Sequence, residues 1–119
     1  MLLSELLEDV TPTQLKDVER FADKLWNKLG IDVEFTRHFI ERMNDPRNGK
    51  DITSAELIRL FKKEYEKYGK AIKDEDEAVL VDLMTDVNLP FIIRGDKLVA
   101  KTVLRKKNFS STNPMYKVS

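Results

Sequence analysis

Cysteine is absent from this 119-residue sequence, and histidine occurs only once. The chain therefore has no disulfide, no zinc–thiolate cluster and no cysteine nucleophile. Glycine and proline are scarce, at four each, and 41% of the residues are hydrophobic, which is typical of a globular domain rather than a disordered chain. No apolar run is long enough to span a membrane, and the acidic N-terminal stretch is unlike a signal peptide. These absences predict a single cytoplasmic domain over residues 1–119.

The net charge of zero hides a strong asymmetry along the chain. Residues 1–88 carry 14 basic and 20 acidic side chains, a net charge of −6, whereas residues 89–119 carry seven basic and one acidic, a net charge of +6. Such a basic segment suggests a nucleic acid or another anionic partner. Two alternatives stay open: the two parts attract each other within one domain, or the acidic part, including residues 74–77, binds a basic host protein.

Apolar residues at helical spacing predict several helices in the N-terminal part of the chain, which we expect to be helical over residues 1–30. Residues 2–10 fit a short amphipathic helix. A capping box formed by Thr11 and Gln14 opens the next helix, which Gly30 ends. Residues 36–43 also have helical character.

Later segments predict two more helices. Thr53 and Glu56 form a second capping box, and the helix that they open is expected to end near Gly69. The acidic run over residues 74–77 predicts a helix start, because carboxylates favour the positive N-terminal end of a helix. The buried side of that helix would carry Val79, Leu80 and Leu83.

Patterns typical of β-structure dominate from residue 88 onward. Residues 89–94 and 97–105 predict two strands joined by a Gly95–Asp96 turn. Residues 31–35 fit either a short strand or a linker, and residues 115–118 fit a last short strand. The expected fold class is α+β, with N-terminal helices packed on a C-terminal antiparallel β-hairpin or small sheet.

His38 and Arg42 form the first candidate site, because residues four apart are neighbours on a helix. Imidazole is the side chain whose ordinary pKa suits proton transfer near neutrality, and a guanidinium can hold a phosphate through two parallel hydrogen bonds. The plainer alternative is a half-buried histidine bonded to a backbone carbonyl, with Arg42 paired to an acid.

The predicted hairpin supplies a second, cationic cluster. On a regular strand Lys101 and Arg105 share one face and Thr102 lies on the other. Lys106 and Lys107 follow, and together these cations could neutralise several phosphates. The alternative is a strand edge that its lysines protect against aggregation.

No metal or cofactor is expected. Asp45, Asp51 and Glu56 have the spacing of calcium-loop ligands, but Lys50 occupies the position that requires glycine, and Arg47 is a second cation in that loop. Gly-rich phosphate loops, nucleophile elbows and histidine pairs for metal binding are missing from the sequence.

Residues 35–109 resemble small phage-encoded proteins whose layout is similar to the superfamily of metal-independent RNases that includes barnase, colicin D and the RelE-type toxins. The resemblance rests on an H-x-x-x-R pattern at His38 and Arg42, and on the Lys101–Thr102 pair in the run LPFIIRGDKLVAKTVLRKKNF. It implies a helix packed on an antiparallel sheet, in the cytoplasm of a host cell.

The resemblance also implies an endoribonuclease in which a ribose 2′-hydroxyl attacks the adjacent phosphate. His38 would be the general acid or base, Arg42 a phosphate clamp and Thr102 an orienting group, with Lys101 or Arg105 balancing transition-state charge. The sequence lacks a second histidine and an acid on the long strand. The alternative is therefore a non-catalytic module that binds nucleic acid through the basic hairpin.

Overall fold

The computed structural model describes residues 11–119, so the helix predicted over residues 2–10 lies outside the described part. The α+β fold class is confirmed. The helices of the described part are α1 (Pro12–Trp26), α2 (Arg37–Met43) and α3 (Ser54–Lys73), with short 3-10 turns at Asn27–Leu29 and Pro46–Asn48. Its strands are β1 (Asp32–Phe35), β2 (Glu77–Asp82), β3 (Val87–Arg94), β4 (Lys97–Ala100), β5 (Leu104–Arg105) and β6 (Met115–Val118).

The strands form one mixed sheet in the order β1-β4-β3-β2-β6, with the short β5 also pairing with β3. The predicted β3–β4 hairpin is present, and β3 also pairs antiparallel with β2. The outer strands are different, because β1 runs parallel to β4 and β6 runs parallel to β2. The sequence suggested an antiparallel sheet, whereas the observed sheet is mixed.

Helix starts are where the capping patterns placed them. Thr11 accepts a hydrogen bond from the amide of Gln14 at 3.1 Å, and Thr53 accepts one from the amide of Glu56 at 3.2 Å. The predicted end of α3 near Gly69 is wrong, because the helix continues to Lys73. A Cβ at Gly69 would lie 2.8 Å from Leu29 Cδ1, so this glycine permits a close approach to the turn after α1.

The helix predicted to start at residues 74–77 is also wrong, since β2 occupies Glu77–Asp82. Residues 78–82 are all buried, and β3 and β6 pair with the two edges of this strand. A short continuous apolar run is the pattern of a strand covered on both faces, and periodicity alone cannot separate it from a buried helix segment.

Aromatic side chains hold α2 against the core. Phe35, Phe39 and Met43 are buried together. The ring of Phe35 stacks on Phe39 with centroids 4.4 Å apart and on Phe61 of α3 at 5.9 Å. The short helix α2 is therefore fixed by its apolar side, which leaves the other side available to solvent.

The outer edge of β1 is covered by carboxylates of α1. The amide of Val33 donates to Asp23 at 2.9 Å, and the amide of Phe35 donates to Glu19 at 2.8 Å. These bonds occupy backbone donors that would otherwise invite edge-to-edge pairing. Over residues 11–119, no helix is both long enough and apolar enough to cross a lipid bilayer.

Candidate functional site

The N-terminal end of α2 is bonded to the chain that follows β4. The amide of Thr36 donates to the carbonyl oxygen of Ala100 at 3.2 Å, and its hydroxyl donates to the carbonyl oxygen of Lys101 at 2.9 Å. The same hydroxyl accepts from the amide of Phe39 and so caps the helix. The helix that carries His38 therefore begins beside Lys101 and Thr102.

The C-terminal end of α2 is bonded to the same segment through Asn48. This buried amide donates to the carbonyl oxygen of Arg42 at 2.9 Å, and its oxygen accepts from the amide of Arg105 at 3.2 Å. Both ends of α2 are thus fastened to residues 100–105. The helix runs alongside that segment.

Residues 101–103 form a β-bulge between β4 and β5. Ala100 pairs with Phe91, and Leu104 pairs with Asn88. The four residue steps from Ala100 to Leu104 therefore lie opposite only three steps on β3. An extra residue reverses the alternation of side chains beyond it. The prediction that Lys101 and Arg105 share a face is therefore wrong.

The side chain of His38 is exposed and has no hydrogen bond or ion pair with the described side chains and backbone. Arg42, one turn later, is half-buried, and its Nη1 lies 3.6 Å from Asp45 Oδ2. The Nε atom of Arg42 is buried without a hydrogen-bond partner in the described chain. The alternative in which His38 is half-buried does not describe this arrangement, although Arg42 does contact an acid.

Lys101 forms an ion pair with Glu77 of β2 on the sheet face opposite Ala100. The hydrogen bond and charge of Lys101 hold the pKa of the Glu77 carboxyl below its usual value. Thr102 is half-buried and lies inside the bulge. Of the Lys101–Thr102 pair predicted from the sequence, Lys101 therefore already has a carboxylate partner for its ammonium group.

Arg105 is held by the start of α3 and its neighbouring loops. Its guanidinium forms a two-pronged ion pair with Glu56 and donates to three carbonyl oxygens, those of Lys50, Asp51 and Thr85. Those bonds use the five N–H donors of an arginine, and the side chain is only 14% exposed. Arg105 therefore stabilises the fold and has no donor left for a phosphate.

Three of the seven basic residues of the C-terminal part are thus paired with acids of the N-terminal part, since Lys97 also lies 3.8 Å from Glu34. Attraction within the domain accounts for part of the charge asymmetry. It does not involve Lys106, Lys107 or Lys117, which are exposed and form no ion pair with residues 11–119.

These three lysines line a small cavity of about 190 Å³, which we call the Lys106 pocket. Phe109 and Met115 also line it, together with the β2–β3 turn. Lys117 belongs to β6 and the other two lysines follow β5, so distant parts of the sequence bring these cations together. The sequence predicted a role for Lys106 and Lys107 but did not single out Lys117.

A larger surface groove, about 520 Å³, lies elsewhere, between α1 and β1. Its lining mixes both signs of charge, and its acids Glu19 and Asp23 are the ones that cover the β1 edge. We regard it as part of that edge closure. In the described chain, no three His, Asp or Glu side chains are grouped so as to hold a metal ion.

Asn48 and Glu56 are residues whose importance sequence reasoning missed. Asn48 lies in a stretch of turn-forming residues and has no feature that connects it to Arg105, 57 residues later. Glu56 was recognised as a helix cap, and nothing local indicated its second partner.

Comparison with known proteins adds no relatives: no family model, no curated protein and no solved structure matches the chain.

Proposed function

We propose that this protein is a metal-independent endoribonuclease, in which His38 transfers a proton, Arg42 holds the scissile phosphate and Thr102 orients it. The proposal drops Arg105, whose five donors are all used, and Lys101, which is hydrogen-bonded to Glu77. It retains Arg42, whose contact with Asp45 is longer, at 3.6 Å. It keeps the three residues of the resembled pattern that lie along α2 and the bulge.

The attachment of α2 at both of its ends to residues 100–105 carries this proposal. Thr36 bonds to Ala100 and Lys101 at one end, and Asn48 joins Arg42 to Arg105 at the other. An exposed imidazole on such a helix can reach a bound strand without moving the backbone. A fixed position is what proton transfer and phosphate contacts require.

The expected reaction is an internal transfer at phosphorus. The ribose 2′-oxygen forms a bond to phosphorus while the bond from phosphorus to the 5′-oxygen breaks. His38 removes the 2′-hydroxyl proton, and the leaving 5′-oxygen takes a proton from water. The products are a 2′,3′-cyclic phosphate and a 5′-hydroxyl. Arg42 would stabilise the extra negative charge on the phosphate oxygens as the bond forms.

A cleavage assay with EDTA and total RNA tests the proposal. We expect the native protein to cleave, and His38→Ala and Arg42→Ala to lose at least about a hundredfold in rate. Arg37→Ala is the matched control, because Arg37 is exposed on the same helix and pairs only with Glu41. Intact RNA after treatment with the native protein, or equal rates in His38→Ala and Arg37→Ala, would refute the catalytic role.

Binding of RNA without cleavage is the second candidate, and one observation favours it. His38 is the only histidine, and the cations Lys101 and Arg105 already have partners, so a second proton-transfer group and a second charge stabiliser are both missing from the candidate centre. This alternative predicts salt-sensitive binding. It also predicts that His38→Ala binds RNA as the native protein does.

A further inference from the structure

We propose that the Lys106 pocket is a subsite for one nucleotide of single-stranded RNA, next to the cleavage centre. The inference rests on the proposed function for its substrate class, RNA. Its physical basis is separate, because none of the residues that line the pocket belongs to α2.

Charge makes the pocket suitable for an anion. Lys106, Lys107 and Lys117 contribute three ammonium groups without carboxylate partners in the described chain. Of the two acids that line the pocket, Asp82 is neutralised by Arg59, whose Nε lies 2.8 Å from its carboxylate. Asp86 is the other, so the lining is cationic overall. A phosphodiester group would be attracted to it.

Shape and chemistry favour a nucleotide over a free anion. The half-buried ring of Phe109 and the side chain of Met115 give the lining an apolar part. Bases bind to aromatic rings by stacking, largely without regard to sequence. A cavity of about 190 Å³ is below the roughly 300–1,000 Å³ of drug-sized ligand sites, so it fits a single ring.

Lys106 of the pocket directly follows the segment to which the end of α2 is bonded. Lys106 follows Arg105, whose amide is bonded to Asn48, which in turn is bonded to the carbonyl of Arg42. His38 and Arg42 are one helical turn apart, about 6 Å along the axis. We infer that a strand with one phosphate at Arg42 continues along residues 100–105 towards Lys106. A paired base could not leave its stack to contact Phe109, so the substrate is single-stranded.

Binding should be measured by fluorescence anisotropy in the His38→Ala background, which removes cleavage. The probes are a short labelled RNA oligonucleotide of mixed sequence and the same strand annealed to its complement. We expect Lys106→Ala/Lys107→Ala/Lys117→Ala to bind the single strand at least about tenfold more weakly. Its slope of log affinity against log salt should also fall by about 0.7, because the contact with one phosphate of the single strand is lost.

Three comparisons make the assignment specific. Lys28→Ala/Lys62→Ala/Lys73→Ala removes the same charge from exposed positions elsewhere and should change affinity less than about threefold. Asp86→Asn removes the pocket's remaining acid and suits its positive φ of 61°, so affinity should rise about threefold. Phe109→Leu should weaken binding about tenfold through lost stacking.

Two results would overturn the subsite: equal loss in the pocket and control triple variants, or duplex binding as tight as single-strand binding. Cleavage by the native protein decides the proposed function separately. If the native protein leaves RNA intact while the pocket variants lose binding, the subsite stands and the endoribonuclease proposal fails. If RNA is cleaved and the pocket variants bind normally, the endoribonuclease proposal stands and the subsite fails.

Discussion

Arg105 and Glu56 meet in a two-pronged ion pair, with Nη1–Oε2 at 3.0 Å and Nη2–Oε1 at 2.8 Å. Glu56 also caps α3 by accepting from the amide of Thr53 at 2.9 Å. One carboxylate thus connects the start of a helix to the strand that follows the bulge. The pair fixes the segment along which α2 lies.

Removing this pair should destabilise the fold. Arg105→Ala leaves the poorly exposed Glu56 carboxylate without its cation, and we expect a loss of about 3 kcal/mol in the free energy of unfolding. Urea denaturation measures it. Arg20→Ala, which breaks an exposed pair with Asp17, should cost less than about 1 kcal/mol. Equal losses in the two variants would show that the Arg105 network contributes little.

Acid should weaken the same pair. Burial acts to raise the pKa of Glu56, but the hydrogen bonds and charge of Arg105, together with Thr53, hold it below the ordinary value of 4.5. The unfolded chain therefore binds a proton at Glu56 more readily, so this contribution is present above about pH 4.5 and is lost as the pH falls below that value. Glu56→Gln should show less loss of stability on acidification than the native protein. Parallel acid profiles would contradict this.

The buried carboxyl of Glu64 should give the free energy of unfolding a pH dependence of the opposite sign. Burial raises its pKa to about 9, against an amide hydrogen bond from Val81 and the charge of Lys67 that lower it, while Asp82 raises it further. Its Oε1 is buried without a partner in the described chain. The folded protein holds a proton that the unfolded chain releases, so the free energy of unfolding falls as the pH rises from the ordinary value of 4.5 towards about 9.

Glu64→Gln should remove that slope, because glutamine is neutral and can still accept from the amide of Val81. Relative to the native protein, the variant should gain stability as the pH rises from about 6 to about 9. Urea denaturation at both pH values measures the gain, with Glu66→Gln as an exposed control on the same helix. A native-like pH slope in Glu64→Gln would refute the assignment of a protonated carboxyl.

Asn48 should be a positioning residue for the proposed reaction. Asn48→Asp retains the oxygen that accepts from the amide of Arg105 but loses the donor to the carbonyl of Arg42. We expect about 1–2 kcal/mol of lost stability. In cleavage assays kcat should fall more than KM rises, because α2 is less well held against the bulge. A loss confined to KM, or none in a fully folded variant, would argue against positioning.

Local patterns were sufficient for the capped helices and the β3–β4 hairpin, because Thr11, Thr53 and the Gly95–Asp96 turn act over a few residues. They did not identify β2, because its apolar run fits either a strand or a buried helix segment until its pairing with β3 and β6 is known. They also failed at the bulge. Asn88 donates to the carbonyl oxygens of Leu104 and Lys106, which fixes β5 in a shifted register that no pattern within residues 97–105 encodes.

The candidate site was likewise predictable from local sequence only in part. The helical pairing of His38 with Arg42 follows from spacing alone. The partners that occupy Lys101 and Arg105, and the addition of Lys117 to the cationic pocket, depend on contacts between distant segments. Long-range pairing therefore decides which of the predicted cations remain available to a ligand.

The most direct test of the central claim is the chemistry of the RNA ends produced with EDTA present. Mass spectrometry of a short RNA substrate after treatment should detect a 2′,3′-cyclic phosphate and a 5′-hydroxyl with the native protein, and neither with His38→Ala. Products bearing a 5′-phosphate, or the same cyclic phosphate from His38→Ala at an undiminished rate, would contradict proton transfer by His38.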